Sequence, residues 1–257
     1  MDSRELRECA ALALSVLDLT NLKDDCTPEE IEALCEKAHG PYGHTAAICI
    51  WPRFVAQARS LLGDGNVVKI ATVVNFPAGD MDVAAVVNET KQALADGADE
   101  IDLVIPYRKF IAGDEQAVVQ MIRAVRAAIP SPAVLKVILE TGELKSQALI
   151  RRASDIAIAE GADFIKTSTG KVAVNATLEA ADTMLQAIRD SGGKVGFKPA
   201  GGISSVRDAI LYFRHVSAIM DENWIMPSTF RFGASSLLND IAAVLSGQDS
   251  TRQASGY

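Results

Sequence analysis

The feature that most restricts this chain is a strict alternation in which a short apolar stretch is followed by a longer amphipathic one, eight times over. Strands are expected at 15–20, 45–50, 69–75, 100–106, 133–140, 164–169, 194–200 and 230–234, where apolar and β-branched residues recur at a period of two. Helices are expected at 28–38, 52–62, 80–96, 114–129, 143–160, 175–191, 204–217 and 236–245. Thr27-Pro28-Glu29-Glu30 shows how one such boundary is encoded, with a cap hydroxyl, a proline at the first helical position and an acidic first turn. Strands separated by helices run parallel, and eight such units in about 250 residues have the size of a closed barrel. An open doubly wound sheet would want a G-x-G-x-x-G turn after the first strand, where this chain has Asp18-Leu19-Thr20-Asn21. The expected architecture is an α/β fold, a (β/α)8 TIM barrel with a short N-terminal helix. It forms one domain over 1–257, with 247–257 a flexible Ser-, Gly- and Gln-rich tail.

Composition narrows the function classes. With 257 residues, 49% of them hydrophobic and 23% charged, this is an ordinary globular sequence with ample material for a core. No apolar run approaches the roughly 20 residues of a bilayer span, so no membrane partner is expected. Residues 1–8 lack the basic-then-apolar order of a secretory signal, which makes the cytoplasm the expected location. A net charge of -8 without a basic run argues against nucleic acid as a partner. The four cysteines, Cys9, Cys26, Cys35 and Cys49, show no C-x-x-C spacing, and the three histidines, His39, His44 and His215, are scattered. Neither a disulfide framework nor a metal is expected, and the chemistry described below calls for no cofactor.

Against that background Lys166 stands out, a charge inside an apolar stretch. Alternation puts Phe164, Lys166 and Ser168 on one face and Ile165 and Thr167 on the other. In a sheet covered on both faces the ammonium must be paired or lose its proton, and an unprotonated lysine is a nucleophile. Residues 97–102 (Gly-Ala-Asp-Glu-Ile-Asp) align without gaps with residues 161–166 (Gly-Ala-Asp-Phe-Ile-Lys), two strand–helix units later. Asp102 and Lys166 therefore hold equivalent inward positions on the fourth and sixth strands. Lys198 points inward on the seventh, since Val195 and Phe197 take its outer face. Lys136 and Glu140 alternate inward on the fifth by the same reasoning, so part of this interior charge can be a structural pair.

The C-terminal ends of barrel strands, where active sites lie, would gather Asp102, Lys166 and Lys198. Bringing a lysine from about 10.4 to near 7 takes about 4 kcal/mol of selective destabilisation of its ammonium, which burial beside a second cation can supply. The neutral amine can attack a carbonyl, and the resulting iminium is an electron sink for making or breaking a C–C bond. Asp102 can hold the second ammonium and relay protons through water. Spacing alone leaves open which lysine attacks.

A second cluster suggests phosphate. The seventh strand ends in Lys198-Pro199-Ala200-Gly201-Gly202 and the eighth in Phe232-Gly233-Ala234-Ser235-Ser236 at a helix start. Loops seven and eight are where barrels bind phosphate, through bare N–H groups and a helix dipole. Lys171, just past the sixth strand, can add charge. Cys49 reads as a small packing residue, and Trp51 and Trp224 as packing or loop anchors.

Taken together, Ala162-Asp163-Phe164-Ile165-Lys166-Thr167-Ser168-Thr169-Gly170 and Gly196-Phe197-Lys198-Pro199-Ala200-Gly201-Gly202 resemble the 2-deoxyribose-5-phosphate aldolases, a class I aldolase family with a barrel fold. The similarity runs from Asp18-Leu19-Thr20 through Asn75-Phe76-Pro77 and Glu140-Thr141-Gly142 to Gly233-Ala234-Ser235-Ser236. The resemblance implies reversible cleavage of 2-deoxy-D-ribose 5-phosphate to D-glyceraldehyde 3-phosphate and acetaldehyde. It implies Lys166 as the Schiff-base lysine, Lys198 as the cation beside it and Asp102 as the proton relay. Phosphate contacts map onto Gly170, Lys171, Gly201, Gly202, Ser235 and Ser236, and Asp18, Thr20 and Cys49 map near the substrate. Many relatives carry a basic residue soon after the glycine pair of loop seven. This chain has Ser204 there, with Arg207 three residues on, so the phosphate charge falls to Lys171 or Arg207. Tyr257 resembles the tail tyrosine of longer bacterial members. The partners expected are small phosphosugars and aldehydes, with the helical exterior available for a homo-oligomer. Alternatives are another lysine-dependent aldolase or transaldolase, and a phosphosugar-binding barrel in which the lysines are counter-charges.

Overall fold

The eight strands form one parallel sheet curled into a barrel in the computed structural model, which describes residues 2–250. They are β1 (Leu17–Asn21), β2 (Ala47–Ile50), β3 (Lys69–Val74), β4 (Glu100–Val104), β5 (Val134–Ile138), β6 (Phe164–Lys166), β7 (Gly196–Lys198) and β8 (Phe232–Ala234). Pairing runs unbroken from β8 through β1 to β7. The seam between β7 and β8 is closed by bridges at Phe197–Phe230 and Ala200–Gly233, and Phe197 N donates to Thr229 O at 2.8 Å.

The helices are α1 (Ser3–Ser15), α2 (Pro28–Ala38), α3 (Val55–Leu62), α4 (Val83–Ala95), α5 (Tyr107–Ile111), α6 (Glu115–Ala128), α7 (Thr141–Leu144), α8 (Gln147–Ala159), α9 (Leu178–Asp190), α10 (Val206–Ile219) and α11 (Leu237–Leu245). α1 is the expected extra helix; α5 and α7 are short turns above β4 and β5. Thr27 caps α2 as expected, in a reciprocal box with Glu30. No helix of the described residues is long and apolar enough to cross a membrane.

The main core lies between strands and helices. Outward residues such as Leu17, Ile48, Ile70, Ile101, Val137, Ile165 and Phe197 are fully buried beneath helix stripes such as Val118, Met121, Ile122 and Val125 of α6. Spacing at i, i+3, i+4 and i+7 puts those four on one face. Each fully buried aliphatic side chain contributes about 1.5–3 kcal/mol, and their number holds the barrel shut. Inside the barrel the strands differ in character. β2 and β3 contribute a small apolar cluster of Ala47, Cys49, Ala71 and Val73; β1, β4, β5, β6 and β7 contribute charge, and β8 contributes Gly233.

Most strands are shorter than expected by one to three residues at an end, and four of these ends bear on the site. Ser15 closes α1, so β1 begins at Leu17. Residues 167–169 and 199–200 leave the ladder. Thr167 N still donates to Lys198 O at 3.1 Å, but Ala200 N turns to the Thr167 hydroxyl at 3.0 Å instead of a backbone carbonyl. β5 stops at Ile138, and Glu140 takes a left-handed conformation (φ 59°, ψ 58°), which ends the alternation expected to place it beside Lys136. The tail expected from Gly247 onward is fastened over its first residues, with Ser250 Oγ donating to Asp240 Oδ2 at 2.7 Å and Arg207 pairing with Asp249 at 3.2 Å. Tyr257 lies outside the described residues.

Candidate active site

Alternation along β4, β6 and β7 delivers Asp102, Lys166 and Lys198 to one point inside the barrel. Register places Lys166 opposite Lys198, and both ammonium groups donate to the same oxygen, Asp102 Oδ2, each at 2.7 Å. Asp102 Oδ1 accepts from Lys136 at 3.0 Å, and Lys136 also pairs with Glu100. Lys198 donates onward to Asp18 Oδ2 at 2.5 Å. Arg231, between Phe230 and β8, donates to Asp18 at 2.6 Å and to Glu100 at 2.9 Å. The connected cluster thus holds three carboxylates (Asp18, Glu100, Asp102) and four cations (Lys136, Lys166, Lys198, Arg231), all of them buried.

Mutual pairing makes that burial tolerable, since an isolated charge in the same place would cost several kcal/mol. Burial pulls Asp102 toward its neutral form, but the ammonium groups of Lys136, Lys166 and Lys198 outweigh it and hold the carboxyl well below the usual range. Asp18 is held low in the same way, against its burial, by Lys198, Arg231 and Lys136. Burial would deprotonate Lys198, yet Asp102 and Asp18 prevail and keep it a firm ammonium. Lys136 is likewise raised, by Asp102 and Glu100 against its burial. Burial pushes the Cys49 thiol up, so it stays protonated, 4.0 Å from Asp102 Oδ2.

Above the cluster opens a cavity of about 750 Å³, and of the three interior lysines only Lys166 lines it. Lys136 and Lys198 are fully enclosed, whereas Lys166 keeps 3% of its surface open. The wall around it carries Thr20, Gly170, Lys171, Gly201, Gly202, Gly233, Ser235 and Ser236, which gathers the expected phosphate residues in one place. Ser236 sits at the N-cap of α11 without a side-chain cap bond, so its hydroxyl is not spent on the helix. Lys171 lines the cavity beside the Trp51 ring and pairs with Asp24 at 2.9 Å. Arg207 is turned away, in a separate small cavity with Asp249, so of the two candidate cations Lys171 is the one at the site.

Other expectations land differently. Asp18 and Cys49 lie under the cavity rather than on its wall, and Thr20 alone of those three lines it. The interior partner of Lys136 is not Glu140 but Glu100 and Asp102; Glu140 accepts from Thr169 instead. Trp51 donates to Lys23 O at 2.9 Å and Trp224 to Gly193 O at 3.0 Å, the loop anchors foreseen. Sequence reading missed Glu100 and Arg231, although alternation points both inward. It also missed Lys23 and Lys37, which reach the cavity from the side of α2.

A closed parallel barrel with one of its interior lysines facing the cavity over a buried carboxylate–ammonium cluster defines a lyase of the barrel aldolase class. Comparison with known proteins narrows the class. Residues 12–243 match the DeoC/LacD family aldolases. The chain is 69% identical over all 257 residues to the deoxyribose-phosphate aldolase of Agrobacterium fabrum (strain C58), covering 99% of it. Among solved structures, the apo form of a Toxoplasma gondii ME49 protein described as a deoxyribose-phosphate aldolase superposes with a TM-score of 0.87 at 26% identity, covering 96% of this chain and 100% of that one. The deoxyribose phosphate aldolase of Aeropyrum pernix, a tetramer, superposes at 0.75 with 25% identity over 95% and 98% of the two chains. The chain belongs to the DeoC/LacD family of aldolases.

Proposed function

We propose that this enzyme is a deoxyribose-phosphate aldolase, a class I lyase that reversibly cleaves 2-deoxy-D-ribose 5-phosphate to D-glyceraldehyde 3-phosphate and acetaldehyde in deoxyribose breakdown. The reading draws on the 69% identical Agrobacterium fabrum relative and on one observation, that Lys166 alone among the interior lysines faces the cavity while resting on Asp102 beside the Lys198 ammonium.

Lys198 and Lys166 share one carboxylate oxygen, and Lys198 is held also by Asp18. Of the pair, Lys166 is the amine that the cavity exposes to a carbonyl. That amine attacks C1 of the open-chain sugar, and loss of water gives an iminium. The 3-hydroxyl gives up its proton, the C2–C3 bond breaks, and its electrons pass into the iminium to form an enamine while C3 becomes the aldehyde of glyceraldehyde 3-phosphate. Protonation of the enamine at C2 and hydrolysis release acetaldehyde and regenerate Lys166. Asp102, between both ammonium groups, is the group placed to pass these protons through water. The 5-phosphate is received by Gly170, Lys171, Gly201, Gly202, Gly233, Ser235 and Ser236, where the Ser236 hydroxyl and the start of α11 supply donors and Lys171 supplies charge. A single domain acting in the cytoplasm, and a homo-oligomer like the Aeropyrum pernix tetramer, belong to the same reading.

Incubation with acetaldehyde and borohydride, followed by peptide mapping, tests it. An ethyl group on Lys166 is the expected result, and Lys166→Leu should abolish both the adduct and cleavage. An adduct on Lys198 instead, or activity surviving in a folded Lys166→Leu variant, would overturn the reading.

A further inference from the structure

The motif Glu140-Thr141-Gly142 has no part in the steps above, yet it is built with care. It leaves β5 through Glu140 in the left-handed region, a conformation a side-chain-bearing residue keeps only where its surroundings hold it. The turn meets the segment after β6 at three points. Thr141 N donates to Thr167 O at 2.9 Å. The Glu140 carboxylate accepts from Thr169 N at 3.2 Å and from Thr169 Oγ1 at 2.6 Å. Gly142 lies flat against the next part of the segment, where a Cβ would stand 1.9 Å from the Val174 carbonyl oxygen.

These contacts continue into the cavity. The Thr169 hydroxyl that donates to Glu140 accepts from Lys171 N at 3.0 Å, so carboxylate, hydroxyl and the backbone of Lys171 form one chain of hydrogen bonds. Glu140 itself is fully buried and does not line the cavity; Thr169, Gly170 and Lys171 do. A carboxylate taken out of water and aimed at a loop hydroxyl and amide is a charge-assisted anchor, roughly twice as strong as a neutral one.

We propose that the Glu140–Gly142 turn is the positioning element for the phosphate end of the substrate. By clamping residues 167–174 it fixes where Gly170 and Lys171 stand relative to Gly201, Gly202 and Ser236, and so sets the preference for a phosphorylated over an unphosphorylated sugar. This rests on the aldolase reading above, with Glu140 acting through Thr169 and touching no substrate atom.

The test compares kcat/KM for 2-deoxyribose 5-phosphate and for 2-deoxyribose in the wild type, Glu140→Gln, Thr169→Val and Thr169→Ser, with borohydride trapping of acetaldehyde alongside. The preference for the phosphorylated sugar should fall about tenfold in Glu140→Gln and in Thr169→Val, the scale of one lost charge-assisted hydrogen bond, mainly through KM for the phosphorylated sugar. Thr169→Ser keeps the hydroxyl and should keep the preference. A preference within twofold of wild type in Glu140→Gln, or equal losses on both sugars, would overturn the proposal. If Glu140→Gln does not fold, the two Thr169 variants decide it alone, and equal behaviour of Val and Ser overturns it. Failure of the aldolase reading would show separately, as absence of the trapped adduct in the wild type.

Discussion

Below the mouth of the barrel, seven charged side chains satisfy one another almost entirely out of water. At the mouth, the cavity wall is made largely of glycines, serines and lysines that reach solvent. In the lower region Asp102 alone accepts from Lys136, Lys166 and Lys198, so little freedom remains to any member. In the upper region Ser236 forms no side-chain cap bond, which leaves its hydroxyl for a ligand, while Gly201 spends its N–H on Gly233 O at 3.2 Å. The contrast follows the chemistry. Bond breaking needs fixed charge at a fixed distance, which mutual pairing supplies before substrate arrives. An anion that comes and goes needs donors that water can satisfy in the meantime.

If the lower region is one electrostatic unit, the largest effect should come from removing a member far from the cavity. Lys136→Met leaves Glu100 and Asp102 under-compensated and should cost about 3–5 kcal/mol in urea unfolding. A loss below about 1 kcal/mol would mean that the cluster is a set of independent pairs. Asp102→Asn preserves shape but removes the shared charge, and kcat should fall about 10²-fold or more. If instead only KM changes, Asp102 serves binding and the division between the regions is misplaced.

At the mouth the same kind of change should barely touch stability. Ser236→Ala is expected to raise KM for the phosphorylated substrate several-fold, with less than about 0.5 kcal/mol lost in unfolding, because its hydroxyl is not spent on the helix. The smallest effect sharpens the contrast through pH. Asp102 and Asp18 titrate low in the fold, so their contribution is complete above the ordinary carboxylate value near 3.9 and lost as pH falls through their lower folded values. Lys198 titrates high, so its contribution is complete below about 10.4 and lost as pH rises through its higher folded value. Thermal stability should therefore vary little between about pH 5 and 10. A steep change inside that window would place an unpaired buried charge in the cluster.

Much of this was legible in the chain before the fold was known. A period of two is enough to send Asp102, Lys166 and Lys198 inward, because a parallel barrel has only two faces. The same rule applied to Glu100 and Arg231, but one opens its strand and the other stands between two phenylalanines, where apolar context draws the eye. Glu140 failed for a physical reason, since one left-handed residue ends the alternation on which the inference rests. Which lysine faces substrate was not legible. It depends on the chain beyond the strand ends: β6 and β7 each stop at their lysine, and their continuations are joined by a side-chain hydrogen bond that no alternation pattern specifies. Lys37 was hidden for another reason: it belongs to a helix whose rotation about its axis no strand pattern specifies.

Gly233 lines the cavity and was read as part of the phosphate site, but its place in the barrel carries a second meaning. It pairs with Asp18 across β8 and β1, and a Cβ there would stand 2.9 Å from the Ala200 Cβ and 3.2 Å from the Lys198 Cε. Lys198 belongs to β7 and Asp18 to β1, so their ion pair must pass over the strand between them. The missing side chain is the notch through which it passes. A residue that looks like an accommodation to ligand is thus also a clearance in the frame, and Gly233→Ala would trade the reach of a lysine against the closure of the barrel.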